Sequence, residues 1–399
     1  MQGAEKEKNM TEANWQFVYE HENDDVTQLL LKKKQYPKVD VIWCARQIEA
    51  RQKAKKKLPT WYGTKKIVFP ARVSIEQSSS EATAMFKASL FKGERMIDIT
   101  GGFGVDAARF TKNFKKVTYC EQMAELAETV ALNKEVLGIE NLEVCQGNGL
   151  DILQNSREKY DLVYLDPARR DAGNRKVVLL EDYQPNVLQY LDLFFEKADE
   201  VLIKTSPMLD VPQAIKQLKK VRHVWVVSVQ NEVKELLFTL HKYQDQQAQI
   251  TAAMLYGKGV STFSSPFDRL RTAVDLHLPL KFLYEPHPAL LKAALQNAYA
   301  GKLNLYKLHA NSHLYTSDRL ISGFYGRAFH VESVFSLNKK DLKKHLTESK
   351  ANITVRNFPL NVAAIRKKTG LKEGGEVYIF ATTLHNDQKV LLKCKKIDG

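Results

Sequence analysis

Residues 96–106 read Met96-Ile97-Asp98-Ile99-Thr100-Gly101-Gly102-Phe103-Gly104-Val105-Asp106. The apolar run Met96 to Ile99 predicts a short strand, the glycines a tight turn, and Ala107 to Phe114 a helix. Glycines where a strand passes into a helix let the backbone approach a ligand, and the first helical turn presents unpaired N–H groups. Such a turn could equally cradle a dinucleotide, but the spacing is not GxGxxG. An acid on the strand is followed by three residues, Gly102, any residue, and Gly104.

Outward from this stretch, short apolar runs alternate with helical stretches from Arg95 to about Gly257. The runs are Met96 to Ile99, Val117 to Cys120, Leu142 to Cys145, Leu162 to Leu165, Glu200 to Ile203, His223 to Val229 and Ile250 to Leu255. That alternation predicts a doubly wound α/β domain, a largely parallel sheet of seven strands with helices on both faces. Upstream, apolar positions at three and four spacing (Val26, Leu29, Leu30; Val41, Ile42, Ala45, Ile48) predict a helical N-terminal region, interrupted at Pro59 to Gly63. Ala82 to Leu90 reads as a helix capped by Ser80 or Ser79. Downstream, a polar loop is expected around Ser261 to Arg269. Beyond it come strand-like runs at Phe329 to Phe335, Ile353 to Val355 and Val377 to Thr382, separated by helical stretches at Pro288 to Ala300 and Lys339 to Leu346. A small α+β module accounts for these.

The acid, three residues, Gly, any residue, Gly pattern resembles motif I of class I S-adenosylmethionine-dependent methyltransferases. The resemblance implies that Asp98, Thr100, Gly101, Gly102 and Gly104 border the cofactor. Glu121, closing the second run, takes the place of the acid that receives both ribose hydroxyls, and Asn148 after the third run takes the place of the polar side chain beside the adenine. Each would otherwise be an ordinary cap or turn residue; their order behind motif I favours the cofactor role.

Asp166-Pro167-Ala168-Arg169-Arg170-Asp171 follows the fourth run, at the switch point where open sheets bind substrates. It resembles the Asp/Asn-Pro-Pro-aromatic motif of amino-methylating nucleic-acid methyltransferases, with Ala168 and Arg169 in place of the second proline and the ring. No aromatic is therefore expected to stack on the target base. Arg169 or Arg170 can stack or clamp a phosphate instead, or bridge loop carboxylates. Asp166, Pro167, Arg169 and Arg170 are the expected catalytic residues, and Asp166 is expected to border the cofactor as well. Lys204 and Ser206, after the fifth run, are expected to face the substrate, or Lys204 to pair with Asp166 or Asp171.

Asp166 to Asp171, Lys204-Thr205-Ser206-Pro207-Met208-Leu209-Asp210 and Val355-Arg356-Asn357-Phe358-Pro359, with Gly374-Gly375 and Phe380 to Thr383, resemble the bacterial THUMP-like class I methyltransferases. The resemblance covers nearly the whole chain. It implies a helical basic region over 1–92, the methyltransferase domain over 93–260, a ferredoxin-like segment over 276–322 and a THUMP-like domain over 323–397.

The net charge of +14 is unevenly placed. Lys32 to Lys66 holds twelve Lys or Arg against two acids, and Lys339 to the C-terminus fourteen against six. Such clusters recruit polyanions by releasing phosphate counterions, although a Lys-rich stretch can also be a solvated helix face. RNA is the expected partner, gripped by residues 32–66 and the C-terminal module. No run of eighteen apolar residues occurs, so no membrane association is expected; no obligate protein partner is evident. The polar residues Met1 to Asn14 lack the apolar core of a secretory signal, so a cytoplasmic location is expected. The four cysteines, Cys44, Cys120, Cys145 and Cys394, have neither zinc-site nor disulfide spacing. None lies near the Asp166 or Lys204 loops, so a base nitrogen is favoured over a pyrimidine carbon as the methyl acceptor, without a metal. A non-catalytic RNA-binding protein on the same fold, a methyltransferase for small molecules, and a nicotinamide oxidoreductase are the rival readings.

Overall fold

Strand β1 (Gly93–Asp98) forms where the apolar run predicts it, and Met96 and Ile97 are fully buried. Its exposed start is held by Asp161, whose Oδ2 accepts the amides of Glu94 and Arg95 at 2.7 and 2.9 Å. This computed structural model describes residues 10–70, 75–169, 179–257 and 259–397. Along the chain follow β2 (Phe114–Glu121), β3 (Leu142–Gln146), β4 (Tyr160–Leu165), β5 (Ala168–Arg169), β6 (Tyr183–Gln184), β7 (Ala198–Thr205), β8 (Val221–Val229), β9 (Glu232–His241), β10 (Gln249–Tyr256) and β11 (Gly259–Pro266).

All seven predicted runs are strands, and among the described residues two further strands stand beside them. The additions are β9 and β11. In β9, Leu236, Leu237 and Phe238 are all fully buried, so the strand has no polar face and shows no period-two alternation. The other, β11, is Ser/Thr-rich and occupies most of the expected loop Ser261 to Arg269.

By its internal contacts the chain divides into two units, Met1–Arg222 with Leu236–Gln246, and His223–Glu235 with Gln247–Gly399. In the first, the strand order is β9-β7-β4-β1-β2-β3. Every pair is parallel except β7 with β9. Helices Val105–Phe110, Ala124–Val136, Gly149–Asn155 and Val187–Lys197 make the crossovers that parallel neighbours require. The order reverses between β1 and β4, which opens a crevice at their carboxyl ends.

The N-terminal region is helical as expected, with Glu12–Glu20, Val26–Leu31 and Val41–Lys57 capped by Thr11, Asp25 and Asp40. Trp15, Phe17, Val18, Leu29, Cys44 and Ile48 form its core. Pro59 does not simply end the pattern: it sits in the first turn of the short helix Pro59–Gly63, where its missing N–H is harmless. Ser80, not Ser79, caps the helix Glu81–Ser89.

In the second unit β8 pairs in parallel with β10, and β10 antiparallel with β11. Strands β12 (Phe282–Pro286), β13 (Tyr306–Lys307), β14 (Tyr315–Ser317), β15 (Gly326–Phe335), β16 (Asn352–Arg356), β17 (Val377–Thr383) and β18 (Lys389–Ile397) form one further sheet, in the order β13-β14-β12-β15-β18-β17-β16. The helical stretch expected over Pro288 to Ala300 is two helices, Pro288–Lys292 and Gln296–Lys302, separated at Ala294, whose φ of 57° lies in the left-handed region. No helix of the described residues is long and apolar enough to cross a membrane.

Candidate active site

Asp98 ends β1 and is 1% exposed. Its Oδ1 accepts the amides of Thr100 and Gly101 at 3.0 and 3.1 Å and the Thr100 hydroxyl at 3.2 Å. Burial pushes its pKa up to about 8; the hydrogen bond from Thr100 opposes that shift, and the charges of Asp106 and Asp166 add to it. The Thr100 hydroxyl oxygen in turn accepts the amide of Asp166 at 2.7 Å. Asp166 follows β4, and Lys204, near the end of β7, forms an ion pair with its Oδ2. The carboxyl ends of three adjacent strands thus carry one connected polar cluster. Asp98, Thr100, Gly101, Gly102, Gly104, Asp166 and Lys204 line a single cleft.

The glycines are required by backbone geometry. Gly101, Gly102 and Gly104 have φ of 37°, 67° and 76°, where a side chain is strained. A Cβ at Gly101 would overlap the carbonyl oxygen of Cys120, whereas one at Gly102 would project into open space. Glu121, ending β2, clamps the turn, since its Oε2 accepts the Gly102 amide at 2.9 Å and its Oε1 the Met123 amide at 2.8 Å. Asn148 is exposed and caps the helix Gly149–Asn155 by accepting the Leu150 amide at 2.9 Å. It lines a different cleft, with Cys145, Gly147 and Asp151.

Residues without a predicted role complete the cluster. Asp106, in the first turn of the helix Val105–Phe110, pairs with the fully buried Lys87 at 3.2 Å. Its Oδ2 accepts the hydroxyls of Ser79 and Tyr164 at 2.7 and 2.8 Å. Burial alone would raise the Asp106 pKa, but the charges of Lys87 and Lys204 outweigh it and hold the pKa below its usual value. Ser79 and Asp106 line the same cleft as Asp98. Asp106 stood inside the stretch that decides the fold, yet its spacing carries no signal, because its cation comes from the helix Glu81–Ser89.

Pro167 is buried, and Arg169 is exposed. Arg169 lies in a two-strand ribbon opposite Tyr183, with Nη1 3.8 Å from Met208 Sδ. Arg170 lies outside the described residues. Tyr183, 2% exposed, brings a ring beside the loop where the motif lacks one, and its hydroxyl oxygen accepts the Ser206 amide at 3.3 Å. Ser206 Oγ accepts the Met208 amide at 3.2 Å, within its own turn.

This architecture extends over nearly all of a known structure. A candidate methyltransferase from Porphyromonas gingivalis W83 is 30% identical and aligns over 97% of this chain and 98% of that one, with a TM-score of 0.86. The chain belongs to the THUMP-like class I methyltransferase family. Residues 326–396 match the THUMP domain-like family model, and residues 282–324 the ferredoxin-like domain model. Weaker likenesses include an rRNA methylase from Streptococcus thermophilus (17% identity, 41% of this chain, 95% of that one, TM-score 0.30). TrmK of M. capricolum, in complex with S-adenosylhomocysteine, is another (14% identity, 41% and 68%, TM-score 0.32). No curated protein matches the chain.

The donors of this family member suit the cofactor named for its class. A backbone turn open at Gly102, with the carboxyl group of Asp98 and the carboxylate of Glu121 on it, offers a narrow passage and hydrogen-bonding groups to a cationic ligand that bears hydroxyls.

Proposed function

We propose that the protein is an S-adenosylmethionine-dependent methyltransferase that modifies RNA at a base nitrogen. The observation that carries the reading is the hydrogen bond from the Asp166 amide to Thr100 Oγ1, which seats the Asp166-Pro167 loop directly against the glycine turn. Cofactor-side and acceptor-side residues then share one cleft.

In this reading Asp98 and Glu121 hold the cofactor, with Thr100, Gly101, Gly102 and Gly104 shaping its passage; when bound, it supplies an activated methyl group on a sulfonium. The position of Asn148 supports an adenine-side role less directly, since its Oδ1 is engaged as a helix cap. Asp166 accepts a hydrogen bond from the target amine and keeps its lone pair aimed at the methyl. Lys204 holds that carboxylate in one orientation. The work of these groups is positioning and exclusion of water. Pro167 gives the loop its fixed φ. Arg169, exposed beside the loop, together with Arg170, is suited to a phosphate or a base face, and Ser206 to the substrate backbone.

RNA as acceptor is supported by the basic stretches. Within the first of them Arg51 is 4% exposed and donates to the carbonyl of Tyr62 at 2.9 Å, so that cation belongs to the core rather than to a binding face.

Transfer of tritiated methyl from S-adenosylmethionine to RNA, DNA and protein fractions of cells lacking the gene tests the reading. Label in a small-RNA fraction, absent with Asp166→Ala, is expected. Label in another fraction would move the acceptor, and label unaffected by Asp166→Ala would remove the assignment of the loop. Cofactor binding with no label in any fraction would favour the non-catalytic reading or a small-molecule acceptor.

A further inference from the structure

Glu285 on β12 is 5% exposed, and a buried carboxylate requires a cation. It has two. Arg327, its cross-strand partner on β15, donates from Nε at 2.8 Å and from Nη2 to Oε2. Arg356, at the end of β16 and 71 residues away in sequence, donates from Nη2 to Oε1 at 2.6 Å. One negative charge therefore orients two positive ones, and the surplus faces outward: the arginine side chains are 38% and 42% exposed while that of Glu285 is 7%.

The geometry is that of a preset anion clamp. Two guanidinium groups bound to the two oxygens of one carboxylate lie within about 7 Å of each other, a gap that the oxygens of a phosphate can bridge. Neither fork is exhausted: of its five N–H donors, Arg327 places two on Glu285, and Arg356 places one there and one, from Nη1, on the Val355 carbonyl at 2.9 Å. Arg327 is further fixed by stacking, with its Cζ 5.5 Å from the Phe329 ring centroid and 6.0 Å from that of Tyr378. His313 Nδ1 is buried without a hydrogen-bond partner, and burial, followed by the charges of Lys307 and Arg356, lowers its pKa.

We propose that Arg327 and Arg356, preset by Glu285, form a phosphodiester-binding site on the second unit through which this protein grips the backbone of its RNA. The site rests on RNA as the acceptor but has its own readout. The full-length protein is titrated into a fluorescein-labelled small-RNA fraction at several salt concentrations, and anisotropy is followed. Arg327→Gln with Arg356→Gln is expected to weaken binding about tenfold or more and to flatten the salt dependence by about one unit of slope per arginine. Because that pair leaves Glu285 buried and uncompensated, a second variant adds Glu285→Gln, which replaces the whole network with neutral amides and preserves the fold. The same loss is expected there, with S-adenosylmethionine binding unchanged. Wild-type affinity and salt slope in the folded triple variant would overturn the site. A protein that binds cofactor, methylates no RNA, and still loses RNA in the triple variant would sink the proposed acceptor and leave the site standing.

Discussion

Lys87 and Asp106 pair at 3.2 Å with the lysine side chain wholly inaccessible, so two helices separated by β1 and the glycine turn are joined by a buried charge. Removing only the cation should therefore be costly. Lys87→Met is expected to destabilise the protein by about 3–5 kcal/mol in denaturant unfolding, because Asp106 stays buried without the cation it pairs with. Adding Asp106→Asn should recover much of that loss. A double variant no more stable than the single one would mean that the pair is not what holds these helices.

Thr100 has a different task, coupling the two loops. Thr100→Val deletes the acceptor of the Asp166 amide, with an expected stability loss of about 1–3 kcal/mol. Methyl transfer should fall further than cofactor affinity does. Thr100→Ser, which restores the hydroxyl, should rescue both; failure of that rescue would point to the methyl group of Thr100 instead.

The two neighbouring glycines should separate folding from binding. Gly101→Ala drives a methyl into the Cys120 carbonyl and is expected to disturb the fold itself. Gly102→Ala points into open space, so only its left-handed backbone is penalised, by about 1–2 kcal/mol. It should fold, with a melting curve near that of wild type, and lose S-adenosylmethionine binding in calorimetry. Unaltered binding by Gly102→Ala would take the cofactor away from this turn.

Asp98 sets a pH dependence. Its pKa rises from 3.8 in the unfolded chain to about 8 in the fold, so the folded state keeps a proton that the unfolded state has released. Stability should consequently decline as pH rises from about 4 to about 8, and Asp98→Asn should remove that slope. Denaturation midpoints of the ligand-free protein between pH 5 and 9 measure it. A cationic ligand favours the ionised form, so cofactor affinity should climb over the same window; a flat profile in both would show that Asp98 is ionised throughout.

Much of this protein was legible in one dimension. The strand ending in Asp98, the glycine turn and the helix after it are coded by neighbouring residues, through a continuous buried run and the dihedral freedom of glycine. The alternation of runs was sufficient for a doubly wound sheet, and the Asp166 and Lys204 loops for the family. The failures also have local causes. Strand β9 is buried on both faces and so loses its alternation, and β11 is polar enough to read as a loop.

What the chain could not reveal alone was which distant groups share a charge. Lys87 with Asp106, Tyr183 beside the Asp166 loop, and Glu285 between Arg327 and Arg356 depend on strand order and on where a helix or ribbon returns. Spacing along the chain does not specify those distances. The energy of a buried ion depends on its surroundings within a few ångströms, and only the tertiary structure decides what those surroundings are.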